Sequence, residues 1–288
     1  MTKDNEQLEP TTVDPPLRLG ISSCLMGNEV RFDGGHKRNS FLMQNLGEHV
    51  DWFPLCPEVE IGLGTPRESI RLEGTVDDSR LVAPKSGRDL TETMRSWAQS
   101  QIPTIGQWAL HGFVLKKDSP SCGLFRVRVY DKNGVPNRDG QGLFAQELTR
   151  EFPLLPVEEE GRLNDPRLRE NFIERVFCFR RWADFLAKDP GPGDLVHFHT
   201  AHTLTVMSHS TDHYEKLGRL VASRVQLSWE ETLVSFGRLL FEGLQFRSTP
   251  GRHSYVMHHL MGFLKSSLDG ADKLELLELF DGYRTDQV

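Results

Sequence analysis

Three of the four cysteines in this chain of 288 residues sit in loops dense in serine, glycine and proline: Cys24 in SSCLMG, Cys56 in PLCPE and Cys122 in SPSCG. The fourth, Cys178, lies in RVFCFRRW on the apolar stripe of a helical stretch, where core packing accounts for it. The loop cysteines are too widely separated for a compact ferredoxin or zinc-finger signature. Each one follows an apolar stretch of strand length, at 18–22, 50–55 and 111–115. The C-terminal ends of parallel strands line one edge of a sheet, and thiols carried there can meet. Converged thiols have several uses: buried packing, a nucleophile, a zinc site or an iron–sulfur cluster. Small loop residues leave backbone N–H groups free to approach cluster sulfides. Three thiolates on a four-iron core leave one iron without a protein ligand, a Lewis acid for a soft atom.

The elements that must position these loops read as two regions. Residues 1–13 read as a disordered tail. Residues 14–160 read as a small layered α/β domain with a largely parallel sheet. Its helices are expected at 89–107, interrupted at Pro103, and at 141–152. Further strands are expected at 125–130 and 154–157, with a turn in KNGVPN between them. VEEEGR at 157–162 reads as a charged linker. Residues 161–288 carry amphipathic stripes and no clear strand, which predicts an all-α domain of five or six helices. Asp165–Pro166 and the S-x-x-E of Ser228 and Glu231 supply two of its helix starts. Net charge is −7, which argues against nucleic acid for the chain as a whole. The acidity is uneven, however: residues 1–160 hold 18 Lys and Arg against 24 Asp and Glu, whereas 161–288 hold 16 against 17, with 8 of the 11 histidines. No run of about 18 apolar residues is present, so no membrane helix is expected. The polar N-terminus lacks the apolar centre of a secretory signal. Both features lead to the expectation of a cytoplasmic protein with reduced thiols.

The ordered set SSCLMG, VRFDGG, PLCPE, TPRESIRL and KKDSPSCG resembles the TudS-like desulfidases, a family that removes sulfur from thiouracil and from 4-thiouridine in tRNA. The resemblance spans about residues 17–157. The helical half, with FHTAHTLTVMSH and GRHSYVMHHLMGFLK, is similar to the domain of unknown function fused behind that module in the RudS proteins. The resemblance implies a [4Fe–4S] cluster on Cys24, Cys56 and Cys122 whose fourth iron accepts the sulfur, with C=S exchanged for C=O and no net redox change. Such chemistry needs an acid or base beside the cluster. Glu58 is the first candidate, with Ser119 to position water or a ring oxygen and Ser121 behind it. Asp33 is a second possible base, with Arg31 as its ion-pair partner. Lys116 and Lys117 could hold a phosphate or orient an acid. Turn capping by Asp33 and Ser119 is the competing structural reading.

In the helical half, His209 and His213 at i, i+4 are the one histidine spacing suited to metal. Arg247, Arg252, His253, Tyr255 and Lys265 combine positive charge with an aromatic ring, a mixture suited to RNA. The leading expectation is therefore a desulfidase acting on thiolated tRNA. Salvage of a free thiobase or its nucleoside is a second reading, and a non-catalytic nucleic-acid binder with a structural metal is a third.

Overall fold

In a computed structural model, the described residues are 15–222, 227–264 and 266–287. The expected N-terminal tail and Lys265 lie outside them.

The first half is built on two sheets. Strands β1 (Leu17–Ser22), β2 (Val50–Leu55), β6 (Gly112–Leu115) and β9 (Val157–Glu159) form a parallel sheet in the order β2-β1-β6-β9. Its register sets Ser22 beside Leu55, Ile21 beside Val114 and Leu115 beside Glu159, so all four strands end on one edge. The two central strands, β1 and β6, are largely apolar on both faces because both faces are covered. Gly20 is fixed by packing: a Cβ there would lie 2.2 Å from the Phe113 ring.

Of the second sheet the sequence showed only one strand, expected at 125–130 and found at Val127–Tyr130. The sheet runs β5-β4-β3-β7-β8 and is mostly antiparallel: β3 (Arg71–Gly74), β4 (Ser79–Ala83), β5 (Arg88–Asp89), β7 (Val127–Tyr130) and β8 (Pro136–Gly140). Helix α1 (Pro57–Glu60) is a single turn after Cys56. Helices α2 (Thr91–Gln107) and α3 (Leu143–Glu151) pack in one core with Leu72, Leu81, Phe113 and Val127. The expected interruption at Pro103 does not occur. The helix runs through it, held by buried Met94, Ala98 and Ile105.

The second half is helical, as expected: α4 (Pro166–Leu186), α5 (Pro192–His209), α6 (Thr211–Ala222), α7 (Trp229–Leu244), α8 (Pro250–Phe263) and α9 (Gly270–Arg284). Asp165 caps α4 ahead of Pro166, and Ser228 and Glu231 cap α7 reciprocally. Cys178 is fully buried in the helical core with Trp182, Phe198 and Phe236. No helix among the described residues is long and apolar enough to cross a membrane.

The reading of VEEEGR as a linker is overturned. Residues Val157–Glu159 are the fourth strand of the parallel sheet, and Glu158, Glu159 and Glu160 are all buried. Each is held by a donor: Glu158 by Arg162 at 2.8 Å, Glu159 by the Leu124 and Phe125 N–H groups, Glu160 by Lys116. A run of three acids looks solvated in sequence because the donors to Glu159 and Glu160 lie 34 to 44 residues away, and only Arg162, the partner of Glu158, is near in the chain. Helix α4 packs against both regions. Phe172 and Val176 of α4 share a core with Leu19, Ile21 and Val114, whereas Cys178 and Trp182 of the same helix belong to the helical core. Replacing Phe172 by Ala is expected to cost about 3–5 kcal/mol. Chemical denaturation should show this in the α/β half as well as the helical half, by Trp fluorescence and hydrogen exchange.

Candidate active site

The strand register delivers the three cysteine loops to one place. The chain leaves β1 through a 3-10 turn, Ser23–Leu25, which carries Cys24. It leaves β2 at Cys56, whose carbonyl accepts the Val59 and Glu60 N–H groups at the start of α1. It leaves β6 through 116–123, which carries Cys122. That third loop is seated on the start of α3: Gly142 N–H donates to Gly123, Leu143 to Pro120 and Phe144 to Ser121. Gly142 is required there, since a Cβ would lie 2.5 Å from the Ser121 backbone.

All three cysteines line one cavity of about 340 Å³. Glu58, Ser119, Ser121 and Lys116, expected from the sequence, line it with them; Asp33 does not, although its neighbours Arg31 and Phe32 do. The Asp33 carboxylate is half exposed, pairs with Arg31 at 3.2 Å and accepts the Gly35 N–H, so it serves a turn. Those donors hold its pKa below the usual carboxylate range.

Glu58 is the centre of the polar network. One carboxylate oxygen accepts from Ser121 at 2.7 Å and Ser119 at 3.3 Å; the other accepts from Arg67 Nη2 at 2.5 Å and Nε at 3.2 Å. Arg67 also donates to the Val30 and Gly64 carbonyls, and its side chain is only 5% exposed. Burial with charge-assisted, forked pairing keeps this carboxylate in one orientation. Ser119 has a double role, because its hydroxyl also accepts the Ser121 and Cys122 N–H groups. Lys116 Nζ lies 2.5 Å from Glu160, and its N–H donates to Ser22.

Arg67, Glu160 and Ser22 were not singled out from the sequence. Arg67 stands in TPRESIRL, a segment within the family resemblance, and that was its only signal. Glu160 was hidden in the run taken for a linker.

Burial dominates the thiols. It pushes the Cys24 pKa up to about 11, with Cys56 adding repulsion, and it raises Cys56 and Cys122 as well. Cys122 feels both other thiols, and Ser22 partly offsets the rise by a hydrogen bond. Two buried thiols and the partly buried Cys56, all disfavouring their own negative charge and walled by serine and proline, form a donor set for a cationic, thiophilic group. Among the described residues no group of three or more His, Cys, Asp or Glu is drawn together tightly enough to hold a metal ion. A polynuclear group, which takes each thiolate on a different metal atom, suits such a donor set. Cys178 lies in the helical core and is no fourth ligand.

The histidine pair in the helical half does not form a metal face. Helix α5 ends at His209, Ser210 is extended, and α6 starts at Thr211, which breaks the i, i+4 relation. His209 contacts the Phe246 carbonyl and Glu174, whereas His213 contacts Ser210. Of the RNA candidates, Tyr255 is exposed, His253 bonds to and stacks on Tyr283, and Arg252 donates to the Arg247 carbonyl.

A parallel-sheet α/β fold with a thiol pocket on its C-terminal edge, continued by a helical body, is the class these observations define. A family model described as 2-thiouracil desulfurase matches residues 19–160, and one described as a protein of unknown function (DUF1722) matches 204–288. The uncharacterized protein YbbK of Bacillus subtilis (strain 168) is 31% identical over 108 residues, 36% of this chain and 71% of that protein. The uncharacterized protein YbgA of Escherichia coli (strain K12) is 24% identical over 123 residues, 42% of this chain and 73% of the other. Among solved structures, the [4Fe-4S]-dependent thiouracil desulfidase TudS is 30% identical, with a TM-score of 0.41, covering 52% of this chain and 94% of that one. The chain belongs to the 2-thiouracil desulfurase family.

The raised thiol pKa values have a direct readout in the metal-free protein. Only thiolate reacts with iodoacetamide, and at pH 8 about one Cys24 in a thousand is ionised if its pKa is about 11. Alkylation of Cys24, followed by mass spectrometry, should rise through pH 9–11. A midpoint near 8.5, as for a free cysteine, would contradict the buried geometry.

Proposed function

We propose that the chain is an iron–sulfur-dependent desulfidase converting 4-thiouridine in tRNA to uridine, with Cys24, Cys56 and Cys122 holding a [4Fe–4S] cluster. The observation that carries this reading is the single pocket in which three thiols face a buried carboxylate fixed by an arginine and two serines. When bound, such a cluster supplies an iron free of protein ligands, a Lewis acid for the departing sulfur.

The side chains do the proton work. The net change is C=S plus water to C=O plus hydrogen sulfide, so water must lose two protons and the sulfur must leave protonated. Glu58 takes the two protons of the attacking water in turn and returns each to the sulfur, since its network keeps one oxygen turned to the hydroxyls of Ser119 and Ser121. Ser119 orients the water. Arg67 keeps the carboxylate in place, and Lys116, braced by Glu160, presents a positive charge to the pyrimidine oxygen or a phosphate.

The pocket lining supports a polyanionic substrate. Arg31, Lys37, Arg67, Lys116 and Lys117 outnumber Glu58 and Asp118. The fused helical half supports it too, because a base embedded in tRNA must be drawn from its stack and its backbone held. Arg247, Arg252, His253 and Tyr255 are the RNA contacts on this reading, and the cytoplasm is its setting. A second reading, release of sulfur from a free thiobase, is favoured by the match to a thiouracil desulfidase.

Protein purified without oxygen is expected to be brown, with about four irons per chain. Cys24→Ser, Cys56→Ser and Cys122→Ser should each lose the iron, and Cys178→Ala should retain it. Glu58→Gln should keep the iron and lower kcat by about 10²–10⁴-fold. Loss of thiocarbonyl absorbance with thiolated tRNA and with free thiouracil compares the substrates. A higher kcat/KM on the free base would favour the second reading, and a colourless zinc protein would overturn both.

A further inference from the structure

A second cavity, of about 390 Å³, opens where the two halves of the molecule meet. Leu124 and Phe125, which follow the Cys122 loop, contribute one side of it. Arg162, Arg175 of α4 and Arg247, just after α7, bring three guanidinium groups against a single carboxylate, Glu158. That carboxylate is already engaged. One of its oxygens accepts from Arg162 Nε at 2.8 Å and from the Glu159 N–H at 2.9 Å, and Arg175 approaches the other only to 3.9 Å.

Arg175 is the informative residue. Its side chain is 13% exposed, yet its Nε has no hydrogen-bond partner. Its guanidinium carbon lies over the Phe172 ring at 5.8 Å, and its contact with Glu158 runs through Nη2 at 3.9 Å, so its charge is only weakly paired. Counting Glu158, the cavity carries two uncompensated positive charges. Phe125 adds an aromatic edge, with Arg162 lying over its ring at 4.6 Å.

We infer that this interdomain cleft binds the phosphate group of a nucleotide. A tetrahedral oxyanion matches the planar fork of arginine and the charge left over, which a neutral ligand would not. The same chemistry has two sources, a free mononucleotide and a phosphodiester of RNA. Either would clamp α4 to the segment that follows Cys122. The inference concerns binding alone and does not depend on the cluster or on turnover.

Isothermal titration of the full chain with inorganic phosphate, UMP, uridine and a short uridine-containing RNA tests it. At least one phosphate-bearing probe should bind while uridine does not. Arg175→Met and Arg247→Gln should each weaken that binding about tenfold or more. Equal affinity for UMP and the RNA identifies a mononucleotide site, and binding of the RNA alone identifies a strand site. If Arg175→Met fails to fold, judged by circular dichroism, the exposed Arg247 decides. Absence of binding by every phosphate-bearing probe, or binding unchanged in the folded variants, overturns the inference.

Discussion

The site depends first on strand register. Parallel pairing sets Ser22 against Leu55 and Leu115 against Glu159, so the chain emerges from four strands at one level. Four of the site residues follow directly on that edge: Cys24, Cys56, Lys116 and Glu160 are all within two residues of a strand end. A slip of one residue would turn each of these side chains to the other face of the sheet. The apolar faces forbid it, because Ile21, Phe113 and Val114 are fully buried on their two sides.

Onto that edge the protein adds rigidity. The cysteine loops are short of regular structure, yet each has its backbone committed: Cys24 accepts from Lys37, Cys56 starts α1, and the Cys122 loop rests on α3. The buried ion pair of Glu58 and Arg67 contributes orientation more than stability, since taking both charges out of water offsets much of their attraction. Arg67 reaches the carbonyl of Val30, toward which the Cys56 thiol also points at 3.8 Å, so the acid and one thiol share an anchor.

Much of this was legible in the residues. Strand ends at 22, 55 and 115 were read to the residue, because apolar runs stop at polar, glycine-rich loops. Glu58, Ser119 and Ser121 were found by closeness to cysteines in sequence. What escaped was long-range. Arg67 is joined to Glu58 only through the fold, and apart from β7, expected at 125–130, the second sheet is made of strands of two to five residues, too short for a clear period. The three consecutive glutamates were misread because acid runs are ordinarily solvated, and here Glu159 and Glu160 meet donors from a distant segment while Glu158 is paired with Arg162 four residues on. His209 and His213 were misread because a helical spacing was carried across a break that Ser210 introduces.

Helix α4 belongs to two cores at once, roofing the parallel sheet with Phe172 and Val176 and centring the helical body with Cys178 and Trp182. It therefore works as a common axle rather than a tether. A tilt imposed on the helical body cannot be absorbed in a slack joint. It is passed to β9 through Arg162 and Arg175 on Glu158, and one residue further along, to the Glu160 carboxylate that steadies Lys116. Whatever the helical half grips, the thiol pocket is mechanically placed to feel it.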